Sequence, residues 1–272
     1  MTGTPDHQID QAGGNMADVR RMVVLVSGHG SNLQSLMDAA ADPSYGAEVV
    51  LVASDRPGAY GLERARAAGV ETAVVRPVDF PDRAAFDEAL TGVVAAARPD
   101  VVCLAGFMRI LGPRFVRSFP DRIVNTHPSL LPAFRGVHAV RDALAYGVRV
   151  TGCTVHLVDE EVDHGPVLMQ APVAVEDGDD EASLHDRIKQ EEHRLLPAAV
   201  RLVAHGRVRL DGRRARLLAG GPEPAAIPGP AAGPGTAAGP GTAAGPGTAA
   251  GPAGSGRRGR APDREPIDGG TP

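Results

Sequence analysis

Met22–Val26 reads MVVLV and runs without a break into Ser27-Gly28-His29-Gly30-Ser31-Asn32, then into a helical pattern of Leu33, Leu36, Met37 and Ala40. No other segment restricts the fold as much. A short apolar run without alternation suits a strand covered on both faces. A glycine-rich turn leading straight into a helix suits the first crossover of a parallel sheet. The rest of the first half repeats the theme. Val49–Ala53 is a second apolar run, followed by the loop Ser54-Asp55-Arg56-Pro57-Gly58. Leu62–Ala68 is helical in pattern and closes at Gly69, where a left-handed residue commonly ends a helix. Val70–Val75, a helix from an Asp82 cap to about Ala97, Val101–Ala105 and Ile123–Asn125 continue the series. Alternating strands and helices predict an α/β fold: an open, mostly parallel sheet with helices on both faces. In such sheets ligands gather at the carboxyl ends of the strands.

After Gly147 the pattern changes. Val150–Val158 alternates and Val167–Ala171 follows, which predicts a mixed or antiparallel extension. A long helix is expected over Glu181–Ala204, with Leu184, Ile188, Leu195 and Val203 on one side. Two strand-like pieces, Arg207–Leu210 and Arg213–Leu217, flank Asp211-Gly212.

Both ends of the chain differ from this body. Residues 1–20 are polar, with no basic segment followed by an apolar run, so no signal peptide is expected. Residues 219–272 are almost entirely Ala, Gly, Pro and Thr at first, with the unit AAGPGT repeated through Ala231–Ala250. Such composition offers too little apolar surface to offset ordering entropy, so both ends are expected to be disordered around a folded body of residues 21–218. No apolar run is long enough to span a membrane. The net charge of −5 gives no basic field for nucleic acid. Cys103 and Cys153 lie in apolar strand-like runs without metal-ligand spacing, which points to reduced core residues and a cytoplasmic protein.

Three polar clusters fall at strand ends. The first, Ser27–Asn32, puts glycines before a helix N-terminus, where free N–H groups suit a phosphate; taken alone, it is open between a phosphate cradle and a tight turn. The second is Asn125-Thr126-His127-Pro128-Ser129-Leu130-Leu131-Pro132. Asn125 and His127, one residue apart on extended backbone, point to the same side and supply a neutral donor and a proton-transfer group. A lone histidine is equally a satisfied core residue. The third, Asp159-Glu160-Glu161-Val162-Asp163-His164, is an acidic turn that reads as solvated unless it meets His127, whose charged form a carboxylate would stabilise.

The stretches VLVSGHGSNLQSLMDA, LAGFMRILGPRFV, IVNTHPSLLPAF, GCTVHLVDEEVDHGPVLMQ and IKQEEHRLLP together resemble the folate-dependent phosphoribosylglycinamide formyltransferases. The likeness covers Met22 to about Leu217. It implies a formyltransferase fold with a Rossmann-like first half. The implied reaction transfers the formyl group of 10-formyltetrahydrofolate to the amine of glycinamide ribonucleotide, in purine synthesis. The resemblance implies Asn125, His127 and Asp163 as the catalytic trio. It puts the ribonucleotide phosphate on Gly30, Ser31 and Asn32, with Glu192 near the glycinamide end. The folate would lie along Met108, Arg109, Ile110 and Leu111, reaching toward Val158–Asp163, with Arg83 beside it. Glycinamide ribonucleotide and reduced folate are the implied partners, with neither nucleic acid nor membrane, for a monomer or homodimer. No metal is required. His164, Arg135 and Lys189 depart from the residues frequent in the family at those positions.

Two alternatives stay open at this stage. A formyltetrahydrofolate hydrolase on the same fold would use the same trio with water as the acceptor. A non-catalytic nucleotide-binding module would need no such trio. The relatives that formylate initiator tRNA carry a basic C-terminal barrel, which an Ala/Gly/Pro tail cannot form.

Overall fold

A computed structural model describes residues 19–218 of the chain; the expectations for residues 1–18 and 219–272 lie outside the described residues. The strands are β1 (Arg20–Val26), β2 (Ala47–Ser54), β3 (Glu71–Val74), β4 (Val101–Leu104), β5 (Ile123–His127), β6 (Val150–Leu157), β7 (Val167–Ala174), β8 (Val208–Asp211) and β9 (Arg214–Leu217). The helices are α1 (Ser31–Ala40), α2 (Tyr60–Ala67), α3 (Arg83–Ala96), α4 (Pro113–Ser118), α5 (Ala139–Tyr146) and α6 (Glu181–Ala204).

Seven strands form one sheet in the order β3-β2-β1-β4-β5-β6-β7. The first five are parallel, while β6 is antiparallel to β5 and β7 antiparallel to β6. β8 and β9 form a separate antiparallel hairpin. The expected α/β sheet with a mixed extension is the one observed.

The MVVLV run is buried because it is central. Met22, Val24 and Val26 pack into a core shared with α1, α2, α5 and α6, and Val23 and Leu25 into a second core with α3 and α4. Both cores are apolar on each side of one strand, which is why this run shows no alternation.

Between β1 and β4 the strand order reverses, and the chain leaves β1 toward one face and β4 toward the other. This is the switch point where α/β sheets open a crevice beyond their strand ends. The loop after β1 is tied to the loop after β4 by the Ser27 N–H donating to the Gly106 carbonyl at 3.1 Å.

α3 starts where the sequence predicts, with the Asp82 carboxylate accepting from the Ala85 N–H. α6 opens on a capping box built by Asp180 and Ser183. Among the described residues, no helix is long and apolar enough to cross a membrane.

Candidate active site

The loop after β1 is shaped by close backbone approach. Gly30 caps α1 with φ 75°, and among the described residues no side chain caps the helix there. A Cβ on Gly30 would stand 2.7 Å from the Gly61 Cα, so only glycine lets α2 lie this near. The Gly61 N–H in turn donates to the Gly28 carbonyl at 3.0 Å. The result is a helix N-terminus whose first N–H groups are presented by a braced turn, the geometry an anion requires.

Asn32, the second residue of α1, joins this loop to α6. Its Nδ2 donates to Glu192 Oε2 at 3.0 Å, and the Thr126 hydroxyl lies 3.3 Å from Glu192 Oε1. Glu192 is 4% exposed, and burial pushes its carboxyl above the usual range. Among the described residues, the buried Asn32 Oδ1 has no hydrogen-bond partner.

Thr126 sits between Asn125 and His127 on β5 and turns to the opposite side of the strand. Asn125 faces His156, its cross-strand partner on β6, with Nδ2 3.2 Å from the His156 Nε2. His156 Nδ1 lies 2.9 Å from the Leu157 carbonyl oxygen, which can only accept. The ring therefore carries its proton on Nδ1 and offers the Nε2 lone pair to Asn125. Burial holds this imidazole below the usual histidine range, which keeps it in that neutral form.

His127 is 4% exposed, and its Nε2 lies 2.8 Å from the Phe134 carbonyl. Its Nδ1 lies 3.4 Å from Asp163 Oδ2. Both ring nitrogens thus face acceptor oxygens. Asp163, at φ 50°, also takes the Gly136 N–H at 2.8 Å and reaches within 3.8 Å of His156 Nε2. The three residues expected to act together, Asn125, His127 and Asp163, do converge. His156 completes the group; in sequence it looked like one more residue of an alternating strand.

The loop after β5 is pinned from below. Thr154 on β6 accepts from the Leu131 N–H at 3.0 Å and donates to the Ser129 carbonyl at 2.7 Å, and Gln170 on β7 donates to the Leu131 carbonyl. Burial pushes the Cys153 thiol on β6 up to about 12 and the Cys103 thiol on β4 higher still, so neither supplies a thiolate.

Beside the switch point lies a cavity of about 510 Å³ lined by Arg83, Met108, Arg109 and Ile110 with Phe80 and Phe86. Met108 and Ile110, 61% and 59% exposed, give this cavity wall apolar surface that faces solvent. Arg83 donates to the Ile110 carbonyl and lies 3.6 Å from Asp87. Leu111 turns away, buried in the core with α3 and α4, and so anchors the segment without lining the cavity. His164 Nδ1 meets Asp159 at 2.7 Å, and Arg213 from the β8–β9 turn closes on its ring. Lys189 pairs with Asp186 at 3.0 Å.

A family model described as formyl transferase matches residues 20–200. The chain belongs to the formyl transferase family. Among curated members, the phosphoribosylglycinamide formyltransferase of Mycobacterium tuberculosis is 55% identical over 197 residues, covering 72% of this chain and 91% of that protein. The trifunctional purine biosynthetic protein adenosine-3 of Homo sapiens is 46% identical over 190 residues, covering 70% of this chain but 19% of that larger protein. Among solved formyl transferases, glycinamide ribonucleotide transformylase 1 of Symbiobacterium toebii superposes with a TM-score of 0.73 at 49% identity, covering 74% of this chain and 95% of that one.

Proposed function

We propose that the chain is a phosphoribosylglycinamide formyltransferase, moving the formyl group of 10-formyltetrahydrofolate to the primary amine of glycinamide ribonucleotide in de novo purine synthesis. The observation that carries this reading is the convergence of Asn125, His127 and Asp163 at the end of β5, one residue from the Thr126 contact that reaches Glu192 and the phosphate turn. The 55% identity to a protein of that name supports the choice of acceptor.

The ribonucleotide phosphate rests on the N–H groups of Gly30, Ser31 and Asn32, and Glu192 receives the glycinamide end. The cavity suits the folate in kind. Its phenylalanines and exposed Met108 and Ile110 match an aromatic ring system, and Arg83 and Arg109 match its carboxylates. The folate supplies an activated formyl group when bound.

The amine nitrogen attacks the formyl carbon, so no protein nucleophile is involved. Asn125, oriented by His156, donates its second amide N–H to the developing oxyanion. The His127 imidazolium, compensated by Asp163, donates to the same oxygen once its Nε2 leaves the Phe134 carbonyl. Collapse breaks the bond to the folate nitrogen, which takes up the proton the amine gives away, through Asp163 and solvent. A catalytic body spanning residues 21–218, with its two free buried cysteines, suits a cytoplasmic enzyme.

Steady-state assay of Asn125→Ala tests this assignment. A fall in turnover of about a hundred- to a thousandfold in a folded protein is expected for loss of one oxyanion donor. Turnover near that of the wild type would contradict it.

A further inference from the structure

Asp55 has no exposed side-chain surface, although it follows β2 at the edge of an open crevice. A buried carboxylate is costly unless it is paired and its oxygens are satisfied. Here both are. Oδ1 accepts from the Ser27 hydroxyl at 2.6 Å, and Oδ2 accepts from Arg109 Nε at 2.9 Å. The Ser27 oxygen in turn accepts from the Met108 N–H at 2.8 Å. Ser27 is 3% exposed.

These bonds make a closed circuit: Met108 to Ser27, Ser27 to Asp55, and Asp55 back to Arg109, the next residue after Met108. Its members stand at the carboxyl ends of β1, β2 and β4, three neighbouring parallel strands. Met108 and Arg109 are also exposed parts of the cavity wall, one apolar and one cationic. Fixing a main-chain N–H and a guanidinium Nε at once sets both the path of the segment and the side on which the remaining guanidinium N–H groups emerge. Arg56, 3.6 Å from Asp55 Oδ2, is the only other cation paired with this carboxylate among the described residues.

We propose that Ser27 and Asp55 are positioning residues for the folate segment. They hold Met108 and Arg109 in the conformation that receives the reduced folate, without touching the ligand. This rests on the reading of the cavity as the folate site. It goes further in assigning to a buried Asp–Ser pair the shape of the wall that selects the ligand. The charge matters as well as the shape, because only a carboxylate gives Arg109 an opposite charge as well as an acceptor oxygen.

The test is equilibrium titration of the full chain with tetrahydrofolate and, separately, with glycinamide ribonucleotide, for wild type, Asp55→Asn, Asp55→Ala and Ser27→Ala. Asp55→Ala is expected to weaken tetrahydrofolate about tenfold, the scale of one lost charge-assisted hydrogen bond. The ribonucleotide Kd stays within about twofold, because its own contacts are untouched. Asp55→Asn, which keeps an acceptor oxygen but not the charge, recovers part of the loss. Ser27→Ala, which changes a single oxygen, reports on the Met108 arm even if Asp55→Ala fails to fold. Equal weakening of both ligands, or no weakening of tetrahydrofolate in the folded variants, overturns the positioning role. Because the titration needs no turnover, absence of formyl transfer in the wild type would count against the proposed reaction and leave this result to stand by itself.

Discussion

Asp163 Oδ2 lies 3.4 Å from His127 Nδ1 and holds the Gly136 N–H at 2.8 Å, so one carboxylate oxygen both faces the imidazole and ties down the loop that follows it. Neutralising this group separates the two duties. Asp163→Asn keeps an acceptor for Gly136 and loses the charge that compensates an imidazolium. Turnover is expected to fall about a hundredfold or more with little change in melting temperature, since the Gly136 bond is kept and the lost charge matters most where charge develops in the transition state. Steady-state kinetics beside thermal unfolding checks this. Equal loss of turnover and of stability would point to a merely structural aspartate.

His156 is held below its ordinary value of 6.5 chiefly by burial, opposed by the Leu157 contact and by Asp163. The folded protein therefore binds fewer protons there than the unfolded chain. The stability this contributes is full above the unfolded value and is lost as pH falls through the lower folded one. His156→Leu is expected to flatten the fall in melting temperature below about pH 6.5. Burial lowers His185 and His193 as well, so the informative quantity is the difference between variant and wild-type slopes. At neutral pH the same variant loses about five- to tenfold in turnover, because Asn125 is no longer oriented. Identical pH slopes would remove His156 from this account.

Glu192 has the opposite sign. Burial raises its carboxyl, with Asn32 and Thr126 opposing. Its stability contribution is present below the ordinary value of 4.5 and lost as pH rises through the folded value. Glu192→Gln is thus expected to raise the melting temperature at neutral pH by a few degrees, at about 2–4 °C per kcal/mol for a body of this size. It should also raise the KM for the ribonucleotide. Such a trade between stability and function is what a buried carboxylate hydrogen-bonded by the neutral groups of Asn32 and Thr126 predicts. A lower melting temperature in the variant would contradict the sign.

Gly165 closes the turn that carries Asp163. A Cβ there would stand 1.8 Å from the Leu157 carbonyl oxygen, a backbone atom that also meets His156 Nδ1 at 2.9 Å and cannot step aside without disturbing that contact. Gly165→Ala is expected to cost about 1–3 kcal/mol, the range for overpacking. It should cost more in turnover than in folding, because Asp163 must move with the turn. Denaturant unfolding and kcat measured together check both.

Much of this fold is legible in the sequence, for identifiable reasons. The central strands announce themselves because both of their faces are buried, and α3 and α6 because caps and apolar spacing agree over many turns. α4 is six residues long, too short for periodicity to register, and α5 follows a loop rich in proline and glycine that hides its start. Asn125, His127 and Asp163 could be named from their motifs, whereas the bonds among them could not, since they depend on the register that puts Asn125 opposite His156. Asp55 reads in sequence as one polar residue of a loop. Only the adjacency of β2, β1 and β4 turns it into the centre of a buried circuit.

The most direct test of the central claim is formyl loss from 10-formyltetrahydrofolate by the purified chain, followed with and without glycinamide ribonucleotide. The account predicts turnover that depends on the ribonucleotide and yields its formylated product. Release of formate without the ribonucleotide would make the chain a hydrolase and contradict it, as would binding of both ligands with no turnover.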